Sequence, residues 1–264
     1  MDLELKEKTV FITGSTAGIG FATAKALLSE GAIVIINGRT SKSVEAAINR
    51  LEQAFPNETI TGISADFSKQ NEVNSLLENL PKIDILINNV GVYSSGSFFK
   101  TEDAEWYRQF EVNVMSGVRL SRIILPSMLA NNWGRILFIS SECASLTPPD
   151  LIAYSMTKAA ILAVSRGLAQ LTKGTNVTIN SVIPGSTLSE GAEQFLEDAA
   201  QKKQKTKDEI ENIFFTEVRT TSLLQRFAKV EEVANTIVYI TSPRSSATNG
   251  AAIKVDGGSS GGLF

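Results

Sequence analysis

Tyr154 and Lys158 stand four residues apart in the run "AYSMTKAA" at 153–160. On a helix of about 3.6 residues per turn, positions i and i+4 share a face, so the phenol and the ammonium can approach one point in space. Their ordinary pKa values are about 10 and about 10.4, and a neighbouring ammonium favours phenolate, drawing the phenol toward neutrality as a proton donor and acceptor. The same spacing also describes an ordinary surface pair on an amphipathic helix. Composition narrows the chemistry available. The chain has no histidine and one cysteine, Cys143, which excludes Ser-His-Asp and Cys-His mechanisms, histidine-bound metals, multi-cysteine metal centres and an intrachain disulfide. Acid–base chemistry must come from Tyr, Lys, Asp, Glu or Cys.

A second constellation lies near the amino terminus. The apolar run "TVFITG" at 9–14 leads into "TGSTAGIG" at 13–20, followed by a helical pattern. Gly14 permits a sharp turn after a strand, Gly18 lets backbone approach a diphosphate, and Gly20 allows close helix packing, while the helix N-terminus offers unpaired amides to an anion. The spacing is G-x-x-x-G-x-G, and any tight strand-to-helix turn can also use glycine. Its position favours a nucleotide site.

These residues need elements to hold them. Short apolar runs at 9–14, 32–37, 59–65, 84–89, 135–140, 177–183 and 251–256 alternate with amphipathic patterns at 18–30, 41–55, 69–79, 102–130, 151–173 and 230–242. The alternation predicts an α/β fold, a doubly wound seven-stranded parallel sheet with helices on both faces, forming a single domain over 1–264. One segment breaks the rhythm. From 186 to 227 no strand pattern occurs, and its centre, "EDAAQKKQKTKDEIENIF", is charged and helical in propensity. It follows a strand's carboxyl end, where open α/β sheets bind ligands, so it is expected to be a helical substrate lid. A net charge of -3 with dispersed Lys and Arg argues against nucleic acid. The stretch "MDLELKEKTV" is acidic where a signal peptide is basic, and no apolar run approaches about 18 residues, so neither secretion nor a membrane is expected and a cytoplasmic location is.

The motifs "TGSTAGIG", "NNVG" at 88–91, Asn113, "SS" at 140–141, "YSMTK" at 154–158, "PG" at 184–185 and "VDGG" at 255–258 together resemble the short-chain dehydrogenase/reductase family along essentially the whole chain. The resemblance implies a Rossmann-type oxidoreductase that moves a hydride between a nicotinamide and a carbonyl or alcohol carbon. It implies Tyr154 as general acid/base and Lys158 as the residue that lowers the phenol's pKa and binds the nicotinamide ribose. Ser141, thirteen residues before Tyr154, would hydrogen-bond the substrate oxygen; its neighbour Ser140 competes, and strand alternation lets only one of them reach the site. Asn113 would hold a water linking Lys158 to solvent. Gly14, Ser15, Thr16, Gly18, Ile19 and Gly20 would form the cofactor loop. Asn89 and Gly91 would line the adenosine ribose and phosphate, Asp66 and Phe67 the adenine, and Pro184, Gly185, Thr187 and Ser189 the nicotinamide side. Glu142 and Cys143 would border the substrate pocket.

Cofactor choice rests on "NGRT" at 37–40. An acidic residue after the second strand binds ribose hydroxyls and repels a 2′-phosphate; here Gly38 stands instead and Arg39 follows, able to pair with that phosphate. NADP is therefore expected, with NAD as the alternative, since Ala17 stands where many NADP-using relatives carry a second basic residue. The family's habits imply a homo-tetramer or dimer. A catalytically silent nucleotide sensor or scaffold is the other functional class, and the intact quartet Asn113, Ser141, Tyr154 and Lys158 argues against it.

Overall fold

The structure is a computed structural model, and it describes residues 1–262. Seven strands form one parallel sheet: β1 (Thr9–Ile12), β2 (Ile33–Gly38), β3 (Ile60–Ser64), β4 (Ile85–Asn88), β5 (Gly134–Ile139), β6 (Val177–Pro184) and, last in the chain, β9 (Ala252–Val255). Their order is β3-β2-β1-β4-β5-β6-β9. The chain thus winds outward from β1 in one direction and from β4 in the other, leaving a crevice between their carboxyl ends, the place where doubly wound sheets take ligands.

Strand alternation divides the core. Val10 and Ile12 of β1, with Val34, Ile36, Ile85 and Ile87, face α1 (Gly18–Ser29), α2 (Ser41–Ala54) and α10 (Val230–Thr241). Phe11, Ile35, Leu86 and Ile136 point the other way, toward α3 (Gln70–Asn79), α5 (Ser116–Ala130) and α7 (Ile152–Gln170). Both sheet faces are covered, so the strands read as continuous apolar runs; β4, β5 and β6 are buried at every position.

The helix expected over 102–130 is not one regular helix. It comprises α4 (Asp103–Phe110), a π-helical turn at Glu111–Met115, and then α5. Asn113 sits inside the π turn. Its side chain donates to the Val92 carbonyl at 2.8 Å and to Thr157 Oγ1 at 2.9 Å, and accepts from the Val92 amide at 2.7 Å. Those three bonds tie the turn to the loop after β4 and to α7, a tertiary constraint that helical periodicity does not carry.

The segment at 186–227 is bounded by short strands the sequence did not suggest. β7 (Thr187–Leu188) pairs in parallel with β8 (Ala228–Lys229), so the two ends of the excursion are clipped together. Two residues per strand are too few to leave a periodic signal. Between them run α8 (Glu190–Lys203) and α9 (Lys207–Ile213), which enclose a small apolar cluster of Leu196, Ala200, Ile210, Phe215 and Phe227. A last short helix, α6 (Cys143–Leu146), follows β5 directly.

Candidate active site

The loop after β1 turns on two glycines in the left-handed region, Gly14 and Gly18, both at φ +59°. A side chain at Gly14 would also meet the Val90 backbone at 3.0 Å, so the loop is held close to the end of β4. Asn89 secures the same junction, its amide group donating to the carbonyls of Thr13 at 3.0 Å and Gly14 at 2.8 Å. The N-terminus of α1 has no local cap: Ala17 offers no side-chain acceptor, and the first turn has no acidic residue. Thr16 is half-buried beside the loop, Ile19 packs toward the core, and Gly20 abuts Asn89. Ser15 lies in the loop with its side chain turned inward. It is fully buried, donates to the Ile12 carbonyl at 2.7 Å and accepts from the Asn37 amide at 2.9 Å, so its hydroxyl joins β1 to β2 and faces away from the crevice.

Arg39 is exposed at the end of β2 and borders a cavity of about 390 Å³ with Thr40, Ser41, Ser64 and Glu72. Thr40 caps α2 by accepting from the Ser43 amide at 3.2 Å. A β-carbon at Gly38 would lie 2.5 Å from Thr16 Cγ2, so a side chain there would force Thr16 to move. The Asp66 amide donates at 2.8 Å to Glu72, which lines that cavity. Partial burial pushes the Asp66 carboxyl upward, but bonds from the Ser68 backbone and hydroxyl and the charges of Lys69 and Arg39 outweigh that, so the net shift is downward. Phe67, expected alongside Asp66, instead points its ring into the core packed against α3.

Ser141, Tyr154 and Lys158 meet at the carboxyl end of β5. Ser140 and Ser141 resolve as alternation requires: Ser140 is buried and donates to the Lys158 carbonyl at 2.8 Å, while Ser141 is half-buried and within hydrogen-bonding influence of the Tyr154 phenol. Lys158 is buried, its ammonium donating to the Ile139 carbonyl at 2.8 Å and lying 5.6 Å from the Tyr154 ring centroid. Burial lowers its pKa to about 8.

The tyrosine departs from the sequence expectation. Burial around its hydroxyl raises the Tyr154 pKa above the ordinary phenol value, with Ser141 pulling it down and Cys143, Tyr93 and Glu142 adding to the rise. The i,i+4 spacing brings Lys158 near, but its ammonium is directed at a β5 carbonyl, so desolvation dominates the phenol. The expected water-holding role of the Asn113 carboxamide also meets a constraint, because that group already makes the three bonds described above. Gly91 lies between these groups, a β-carbon built there falling 3.3 Å from Lys158 Nζ.

On the other side of the crevice, Pro184 ends β6, and Gly185 packs against the Asp256 backbone. Thr187 donates to the Gly185 carbonyl at 2.9 Å, and Ser189 caps α8. Three features carried no sequence signal as site residues. Tyr93 places its ring 5.8 Å from that of Tyr154. Arg219, from the excursion, pairs with buried Glu142 at 2.8 Å, and Ser186 donates to the same carboxylate oxygen at 3.0 Å. Glu190, the first residue of α8, accepts a bond from the Gly18 amide at 2.7 Å. Each depends on contacts more than forty residues apart in sequence.

The family model described as short chain dehydrogenase matches residues 8–200. The chain belongs to the short-chain dehydrogenase family. Two Bacillus subtilis (strain 168) proteins resemble it end to end: the uncharacterized oxidoreductase YvrD, 50% identical over 261 residues, and the uncharacterized oxidoreductase YvaG, 44% identical over 258, each match covering 98% of both chains. Among solved structures, the L-sorbose reductase from Gluconobacter frateurii complexed with NADPH and L-sorbose superposes with a TM-score of 0.92 over 100% of both chains at 28% identity. The short-chain dehydrogenase reading gives this chain an oxidoreductase scaffold with a Rossmann-like sheet. Among its described residues, no helix is long and apolar enough to cross a membrane.

Proposed function

We propose that this short-chain dehydrogenase is an NADP(H)-dependent carbonyl reductase, similar to 3-oxoacyl reductases in layout, with Tyr154 as its general acid/base. The observation that carries the reading is the convergence of the Ser141 hydroxyl, the Tyr154 phenol and the buried Lys158 ammonium beside the β1/β4 crevice. The residues around the crevice would hold the cofactor. Gly14 and Gly18 open the loop, the α1 N-terminus, which has no cap of its own, would receive the diphosphate, and Arg39 with the α2 N-terminus would receive the 2′-phosphate. Asn89, Gly91 and Asp66 border the adenosine half; Pro184, Gly185, Thr187 and Ser189 border the nicotinamide half. When bound, NADPH supplies a hydride to the substrate's carbonyl carbon.

The chain's own residues manage the oxygen. Ser141 and Tyr154 hydrogen-bond the carbonyl oxygen, stabilising negative charge as it develops there, and the Tyr154 hydroxyl delivers its proton. A raised phenol pKa keeps that proton in place until the oxyanion forms. Lys158, charged below about pH 8, then stabilises the phenolate left behind. Asn113 is a positioning residue, holding the post-β4 loop and α7 in register. The chain is read as one NADP-binding domain, with 186–227 as its substrate lid, in a cytoplasmic homo-tetramer or dimer. Exposed Tyr107, Phe110, Ile123 and Met156 on or beside α4, α5 and α7 suit such an assembly.

The test is NADPH consumption against a panel of carbonyl compounds including β-ketoacyl thioesters and keto-sugars, the latter suggested by the L-sorbose reductase likeness. Turnover by the native chain, lost in Tyr154→Phe while NADPH binding persists, supports the reading. Turnover undiminished in Tyr154→Phe removes the tyrosine mechanism, and binding without turnover on any carbonyl returns the silent-sensor alternative.

A further inference from the structure

The α1 N-terminus is built to take an anion, and an anion from the protein itself touches it. Ala17 cannot cap the helix, and no acidic residue lies in its first turn. The Gly18 amide instead donates at 2.7 Å to the carboxylate of Glu190, 172 positions away. Glu190 opens α8, the first helix of the excursion that hangs from the β7–β8 clip. Its side chain is exposed and makes no salt bridge among the described residues. Ser189, one residue earlier, caps α8 with its hydroxyl accepting from the Ala192 amide at 3.4 Å and lies 3.5 Å from where a Gly18 β-carbon would stand. The N-terminal ends of a 12-residue and a 14-residue helix therefore converge on one point. Two positive helix ends favour one anion between them.

We propose that Glu190 is a latch that stands in for the cofactor's diphosphate: its carboxylate occupies the α1 amide end and is exchanged for the dinucleotide, so Glu190 sets cofactor affinity and ties release of the excursion to cofactor binding. This rests on the reading of the glycine loop as a dinucleotide site. The reasoning is one of competition and charge. A diphosphate approaching the α1 N-terminus meets a carboxylate already bonded there, and the two negative groups cannot share the amide without repulsion. Binding must break the Gly18–Glu190 bond, so part of the binding free energy goes into freeing α8. The latch has a converse effect on the free protein. It supplies the only side-chain acceptor at the start of α1 among the described residues, so it should stabilise the fold before cofactor arrives.

The two effects have opposite signs, and that pair of signs is the test. Glu190→Gln keeps an acceptor but removes the charge; Glu190→Ala removes both. Calorimetric titration with NADPH, and melting of the cofactor-free proteins, are measured on the full chain and both variants. The expected result is NADPH bound about threefold or more tighter by each variant, with Glu190→Ala melting below the native chain when free. Affinity in both variants equal to or weaker than native, while the native chain binds NADPH, overturns the latch and leaves the dinucleotide site standing. Failure of all three proteins to bind NADPH or NADH overturns the dinucleotide reading itself, and the latch with it.

Discussion

Replacing Lys158 with methionine should make the protein lose activity and gain a distinctive pH profile of stability. Lys158 is 4% exposed, and burial lowers its pKa from 10.5 to about 8. At about 1.4 kcal/mol per pKa unit, housing the ammonium costs the folded state about 3 kcal/mol. The sign follows from proton counting. Below about pH 8 both states hold the proton and the cost is present in full. Between about pH 8 and 10.5 the unfolded chain holds the proton that the folded chain has released, so stability rises with pH and the cost is gone above 10.5. Lys158→Met removes that titration and also the bond to the Ile139 carbonyl, whose loss costs about 1–3 kcal/mol. Near neutral pH the variant should therefore be as stable as the native chain or more so by up to about 2 kcal/mol. The difference between them should move in favour of the native chain by about 3 kcal/mol as pH climbs through that window. Urea denaturation of both proteins at several pH values, compared as a difference so that other titrating groups cancel, measures this. A difference independent of pH between about 7.5 and 10 would show that the buried ammonium is not what sets it.

Asn113→Ala should cost about 1–3 kcal/mol in urea denaturation, because it leaves the Val92 amide and carbonyl without their partner; a cost below about 0.5 kcal/mol would show those bonds to be dispensable. Gly38→Asp, the obvious change toward NAD preference, should destabilise by about 1–3 kcal/mol and bind neither cofactor well, since its β-carbon meets Thr16; thermal melting and cofactor titration check it, and a Thr16→Ala companion should recover stability. Arg219→Met should cost about 3–5 kcal/mol by stranding buried Glu142, and the double variant with Glu142→Leu should recover most of it; an uncorrected double variant would mean the pair does more than satisfy itself.

Much of this was legible in the sequence because it depends on local chemistry. The seven strands announce themselves as apolar runs because both sheet faces are covered, and Gly14 and Gly18 mark the loop because it needs left-handed backbone. That only one of Ser140 and Ser141 reaches the site follows from strand alternation, and the spacing to Tyr154 selects Ser141. The remainder is set by partners distant in the chain. The π turn around Asn113 comes from bonds to Val92 and Thr157, and the β7–β8 clip has two residues on each side. Phe67 and Ser15 belong to motif stretches, yet the sheet turns their side chains inward. Sequence spacing gives Tyr154's proximity to Lys158 and says nothing of desolvation or of where the ammonium points, and it is desolvation that raises the phenol. Glu190 looks in sequence like any acidic residue in a first helical turn; only its bond to Gly18 distinguishes it.

In the proposed function, the site takes NADP(H) and Arg39 reads its 2′-phosphate. Calorimetric titration of NADPH and NADH into the native chain and an Arg39→Ala variant tests it most directly. NADPH should bind tighter than NADH by about tenfold or more, equivalent to about 1.4 kcal/mol, with the preference abolished in the variant and NADH affinity little changed. Tighter binding of NADH by the native chain, or a preference for NADPH that survives the loss of Arg39, would contradict it.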